Sequence, residues 1–319
     1  MRKKSFLGID TSNYMTSICF IDKNREVLYE AKKLLQVGHG KRGLQQSEAL
    51  FQHVRNLPEL FKNWYGTEEF ELSGIAVSRA PRPDKDSYMP VFLAGLSVAE
   101  SMSATFHVPI YFTTHQEGHI AAGLYSAEKR PKNKHFLTVH LSGGTSEILF
   151  VDQMDSGFQI IKLGGTLDLH AGQLIDRIGV LLGFSFPAGR FVEELALSSH
   201  TEFKRIPSSI KELSFHFSGA ENEAMKRIKN GEPKEEVARA IEHNIATTIS
   251  KVLRKAIEQG YPKEILIVGG VAQNQYIREY LIKRLEHRSV GAALFFAKKE
   301  YSGDNAFGVA NIGLNQWNV

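Results

Sequence analysis

The chain has 319 residues, 42% hydrophobic and 23% charged, and its 39 basic and 35 acidic side chains leave a formal net charge of +4. That length supports about two domains with self-sufficient cores, and the single Cys19 excludes a disulfide framework. No apolar run approaches the ~20 residues of a membrane-spanning helix, and Asp10 cuts short the stretch after the basic Arg2, Lys3 and Lys4, so a soluble protein of a reducing cytoplasm is expected.

Residues 6–22 read as strand, tight polar turn, strand, and residues 136–152 repeat that grammar nearly residue for residue. A third strand-like run follows each copy, at 26–35 and 158–163. In the first half, residues 45–64 carry helical apolar spacing at Leu50, Phe51, Val54, Leu57, Leu60 and Phe61. A short buried strand (74–78) leads to a turn-rich loop (80–86), a helix (89–103), a strand (109–114) and a helix (115–125). Residues 126–134 form the crossing to the second half, and their basic cluster reads as a solvated linker.

The second half continues with a helix at 170–182, a Gly/Pro break at 183–189 and a long helix at 234–259. A central strand (264–268) runs into Gly269 and Gly270, followed by a helix (274–286), a strand (293–297) and a last helix (304–315). Both halves thus read β-β-β-α-β-α-β-α, the second with an insertion at about 183–233. The expected division is 1–126 and 127–319, each lobe a mixed sheet flanked by helices. This plan resembles the superfamily of actin, hexokinase and the heat-shock-chaperone ATPases, a duplicated ribonuclease H-like α/β fold. That resemblance implies two lobes around a nucleotide cleft.

Chemistry concentrates at five places. His115 and His119 stand at i and i+4 on one helix, so both imidazoles share a face that can clamp a divalent metal. Twelve histidines make one such pair possible by chance, so a third ligand is needed, and Asp304 offers it; Asp304 reads equally as a helix N-cap. The Glu117 position does not fit the zinc-protease motif, which places its glutamate directly after the first histidine.

Ser142, Gly143 and Gly144 form a small-residue turn whose backbone N–H groups can meet phosphate oxygens, or simply a hairpin turn. Gly269 and Gly270 end a strand before Asn274, where open α/β sheets meet ligands; Asn274 can bond a ribose or base, or cap its helix. Asp176, on an otherwise apolar helix, can bind ribose hydroxyls or pair with Arg177 or Lys162. Gly189 either admits a ligand beside its backbone or ends a loop.

Taken in order, the segments 95–100, 109–119, 141–145, 168–189, 215–219, 269–274 and 304–305 resemble the TsaD/Gcp family of tRNA threonylcarbamoyladenosine transferases, once called O-sialoglycoprotein endopeptidases. The resemblance covers nearly the whole chain. It implies that His115, His119 and Asp304 bind iron or zinc, and that Ser142, Gly143, Gly144, Asp176, Gly189 and Asn274 hold an adenine nucleotide or threonylcarbamoyl-adenylate. The implied reaction moves the threonylcarbamoyl group to N6 of adenosine 37 in tRNA. Implied partners are tRNA and either a TsaB-like protein or a second copy of the chain.

Several motif positions depart from the family. Its first turn reads Thr-Ser-Cys-Asp-Glu-Thr, where this chain has Asn13, Tyr14 and Met15 before Thr16. Its Gly-Pro-Gly-Leu loop becomes Ala80, Pro81, Arg82, Pro83; a lysine becomes Glu221; and the histidine of Ser-Gly-Gly-His becomes Thr145. A divergent paralogue with another acceptor, or a non-catalytic scaffold, therefore stands beside the transferase reading.

Overall fold

The structure, a computed structural model, describes residues 3–12, 14–38, 43–62, 64, 70–199 and 203–319. Arg2 and Asn13, named above, lie outside them. The first half opens on an antiparallel meander of β1 (Lys3–Ser12), β2 (Met15–Asp22) and β3 (Val27–Leu34), followed by α1 (Gln46–Lys62). Next come β4 (Phe70–Ser78), parallel to β1, then α2 (Phe92–Phe106), β5 (Ile110–Thr113), parallel to β4, and α3 (His115–Ser126).

The second half repeats the scheme with β6 (His135–Leu141), β7 (Ser146–Gln153), β8 (Phe158–Gly165) and α4 (Ala171–Leu181). Its insertion holds α5 (Gly189–Ala196), a small hairpin of β9 (Ser209–Lys211) and β10 (Ser214–His216), and α6 (Ser218–Lys229). The repeat resumes with α7 (Lys234–Glu258), β11 (Glu264–Val268), α8 (Gln275–Leu285), β12 (Ala293–Phe296), α9 (Lys299–Ser302) and α10 (Phe307–Trp317).

Strand order makes the duplication plain: β3-β2-β1-β4-β5 in one sheet and β8-β7-β6-β11-β12 in the other. In each, three antiparallel strands are extended by two parallel ones, as the two crossover helices require. Both faces of β1 are covered, and its alternation separates them. Leu7 and Ile9 pack toward Leu57 and Leu60 of α1 and Ala94 and Ala99 of α2, whereas Phe6 packs toward Ala310 and Leu314 of α10.

Helix α3 is the wedge between the sheets. Its Ala122 joins the cluster of Phe6 and Ala310, while Ile120 and Leu124 pack against Phe136, Leu266 and Val268 of the second sheet. A helix clasped on two sides needs apolar residues all round, which is why the polar face of α3 is confined to its first turns. Helix α10 crosses α3 at a glycine contact: a Cβ on Gly308 would sit 1.8 Å from the Gly118 carbonyl oxygen. That crossing brings the 303–306 link onto the face of α3 that carries the histidines.

Two segments differ from the sequence reading. The final helix begins at Phe307, not at Asp304, because Asn305 turns the chain back: its Nδ2 donates to Tyr301 O and Gly303 O, and its Oδ1 accepts from Gly308 N. Asp304 is therefore not a helix cap and projects from a short link. The sequence pattern predicts no elements in the insertion, since three-residue strands, an eight-residue helix and the largely polar α6 carry too little apolar periodicity.

Candidate metal centre and nucleotide cleft

The capping box of α3 sets the orientation of its first turn. Thr114 is the N-cap, its Oγ1 accepting from Glu117 N, while Glu117 Oε2 accepts from Thr114 N at 2.9 Å. His115 then opens the helix and His119 follows one turn on. Their Nε2 atoms lie 3.1 Å apart; Asp304 Oδ1 is 3.2 Å from His119 Nε2 and 3.5 Å from His115 Nε2. Ligands at 2.0–2.1 Å from an ion, subtending right to tetrahedral angles, lie about 2.9–3.4 Å apart. The triangle fits. Two imidazoles and one carboxylate suit zinc or ferrous iron over calcium or magnesium.

A second carboxylate orients the first histidine. Asp10, fully buried near the end of β1, faces His115 Nδ1 with Oδ2 at 3.2 Å and accepts the hydroxyls of Ser12 and Ser78. This is the outer partner that metal-bound histidines ordinarily have. Burial opposes charge on His115, yet Asp10 and Asp304 together hold its pKa up at about 10. Asp304 in turn, despite burial, sits far below the usual carboxylate range because both histidines face it. Burial and the neighbouring His115 push His119 down.

His115 and Asp304 of the triad line a cleft of about 810 Å³ between the two halves, while His119 is buried. Ser142, Gly143, Gly144 and Thr145 line it beside Asp176, His115 and Asp304. The 142–145 turn closes through Ser142 N donating to Thr145 O, and Gly172 N, at the start of α4, donates to Ser142 O. A Cβ on Gly172 would meet Gly143 N and Cα at 2.7 Å, so only glycine lets the helix N-terminus sit against this turn. Turn amides and a helix N-terminus together favour an anion.

Other sequence-read residues are placed differently. Asp176 Oδ1 accepts from Ala188 N, which brings Gly189 into the same loop without lining the cleft. Asn274 is engaged at both ends, Oδ1 capping α8 at Ile277 N and Nδ2 donating to the buried Glu242 at 2.6 Å. Its neighbour Gly270 is the residue of that turn that lines the cleft. Tyr14 and Met15 form the wall opposite, with the Tyr14 ring edge-on to Phe186 at 5.3 Å. Glu221 pairs with Arg177 at 3.2 Å.

Sequence reasoning missed Asp10 and His140. Asp10 was noticed only as a break in an apolar run; a carboxylate inside a strand buried on both faces was itself the signal. His140, on β6, is 1% exposed, has no hydrogen-bond partner at either ring nitrogen among the described residues, and packs 4.5 Å from the His119 ring.

With this geometry in view, the comparisons with known proteins are decisive about ancestry. Residues 39–311 match the family described as "TsaD: tRNA N6-adenosine threonylcarbamoyltransferase". The chain belongs to that family. A tRNA N6-adenosine threonylcarbamoyltransferase of Syntrophus aciditrophicus is 30% identical over 326 residues, spanning 98% of this chain and 92% of the relative. A probable bifunctional tRNA threonylcarbamoyladenosine biosynthesis protein of Methanocaldococcus jannaschii is 26% identical over 97% of this chain, which spans only 54% of that longer protein.

Solved structures agree on the fold. Full-length HypF in its phosphate- and nucleotide-bound form matches with a TM-score of 0.60 at 13% identity, over 99% of this chain and 46% of HypF. The activator of the 2-hydroxyisocaproyl-CoA dehydratase from Clostridium difficile with bound ADPNP matches at 0.54 and 12% identity, over 98% and 96% of the two chains. The TsaD-family chain thus has the duplicated actin-, hexokinase- and chaperone-like fold. No helix among the described residues is long and apolar enough to cross a membrane.

Proposed function

We propose that this chain is a metal-dependent transferase of the TsaD type, moving a threonylcarbamoyl group from threonylcarbamoyl-adenylate to N6 of an adenosine in tRNA. The observation that carries this reading is the convergence of His115 Nε2, His119 Nε2 and Asp304 Oδ1 beside the cleft that His115, Asp304 and the 142–145 turn line. A divalent zinc or iron ion held there would supply a Lewis acid toward the activated carbamoyl group. The Gly143 and Thr145 amides, which the turn's own hydrogen bonds leave over, would meet the adenylate phosphate, with the α4 dipole behind them, as the carbamoyl carbon–oxygen bond breaks and the new carbon–nitrogen bond forms. AMP and a proton leave; no side chain need act as a covalent nucleophile. Ser142, Gly143, Gly144 and Asp176 form the nucleotide side of the site; Gly189 follows the Ala188 that Asp176 holds, and Asn274 caps the helix after the Gly269–Gly270 turn.

One observation favours a second reading. The family's first-turn carboxylates are absent, and Tyr14 and Met15 line the cleft in their place. A divergent paralogue that retains metal and adenylate but presents this apolar wall to another acceptor fits that substitution. Complementation of a strain lacking its own transferase, read as threonylcarbamoyladenosine in total tRNA, separates the two. Restoration of the modified nucleoside supports transfer to tRNA; a folded, metal-loaded protein that fails to restore it supports the paralogue.

A further inference from the structure

We infer that Arg82 is the anion-receiving side chain of this cleft, set to exchange Glu147 for a carboxylate or phosphate oxygen of the bound ligand. The inference rests on the cleft reading above. Arg82 stands in the 80–86 loop, whose carbonyls Ala80 O and Pro81 O accept from His115 N and Gln116 N at 3.0 Å, so the loop is bolted to the first turn of α3. Its guanidinium reaches from the first half to the second, Nη2 lying 3.0 Å from the buried Glu147 Oε1 on β7, and 34% of the side chain stays open. It lines the same cavity as the 142–145 turn and Asp304.

The pair is built to open from one side. Glu147 does not depend on Arg82: Lys162 Nζ lies 2.9 Å from the same Oε1, and Gln116 Nε2 donates to Oε2 at 2.9 Å. Removing one partner of a buried carboxylate is costly when the charge is left alone; here two partners remain. The guanidinium for its part keeps a donor in reserve, since its buried Nε has no hydrogen-bond partner among the described residues. The other arginine that lines the cavity, Arg177, is engaged by Glu221. Carboxylates and phosphates match the planar guanidinium fork.

Calorimetry on the wild type, Arg82→Gln, Arg82→Lys and Glu147→Gln tests it with two probe pairs: AMP against adenosine, and N-carbamoyl-L-threonine against its amide. Arg82→Gln should weaken the anionic member of one pair about tenfold to a hundredfold, spare its neutral counterpart, and be partly rescued by Arg82→Lys. The pair that moves tells phosphate from carboxylate. Glu147→Gln, which frees the guanidinium, should leave anion affinity unchanged or tighter, and it decides the matter if Arg82→Gln does not fold. Weaker anion binding in Glu147→Gln would make the pair a simple clamp between lobes and overturn the inference. So would an unchanged anion-to-neutral ratio in Arg82→Gln. A folded wild type that binds none of the four probes removes the cleft reading and this inference together.

Discussion

His115 carries two constraints at once, because one ring nitrogen faces Asp10 and the other faces the would-be ion. His115→Ala should abolish stoichiometric metal and leave the fold intact, checked by elemental analysis beside circular dichroism; undiminished metal content would contradict the site. Asp10→Asn keeps the ligands but alters the outer partner, and should lower metal affinity about 10- to 100-fold. The proton on His115 has a further consequence. With its folded pKa raised to about 10 and an unfolded value of about 6.5, its ion pairs stabilise the metal-free protein fully below pH 6.5. That contribution is lost as pH rises through 10. Metal must displace this proton, so apparent affinity should rise between pH 6 and 8 with one proton released per ion. Titration calorimetry in buffers of different ionisation enthalpy reads that release directly; none would mean His115 is neutral or not a ligand.

At the scale of elements, two glycine contacts position two different halves of the chemistry. Gly308→Ala forces α10 away from the Gly118 carbonyl and should destabilise by about 1–3 kcal/mol while shifting Asp304 off the histidine pair. Gly172→Ala instead presses on Gly143 and should weaken AMP binding with metal content unchanged. Measuring both ligands on both variants checks the division; equal loss of both from either variant would show one collapsed site. These elements were largely legible in the sequence because long amphipathic helices and alternating strands announce themselves: α1, α7 and the paired hairpins fall within a few residues of the periodicity reading. The histidine pair and Asp304 were legible as residue types, and a resemblance joined them. What stayed hidden were pairings made only in three dimensions, such as Asp10 with His115 and Glu147 with Arg82. So did Asn274, whose capping and Glu242 bonds are local reasons for the same side chain.

The molecule as a whole is two copies of one sheet joined across α3, with the site at their seam. Nucleotide between the lobes should therefore stabilise the entire chain, by about 2.7 kcal/mol at a ligand concentration 100 times the dissociation constant. A rise in melting temperature with AMP or ATP checks this, and no shift with any adenine nucleotide would count against the cleft. Because the proposed metal ligands come from α3 and from the link before α10, loading an ion should tie the last helix to the wedge. X-ray absorption on the purified chain with one equivalent of zinc or iron tests that convergence most directly. Two imidazole nitrogens and an oxygen at about 2.0–2.2 Å, with the imidazole contribution falling from two rings to at most one in His119→Ala, is the result expected; a metal spectrum without imidazole, or one that His119→Ala leaves unchanged, would contradict it.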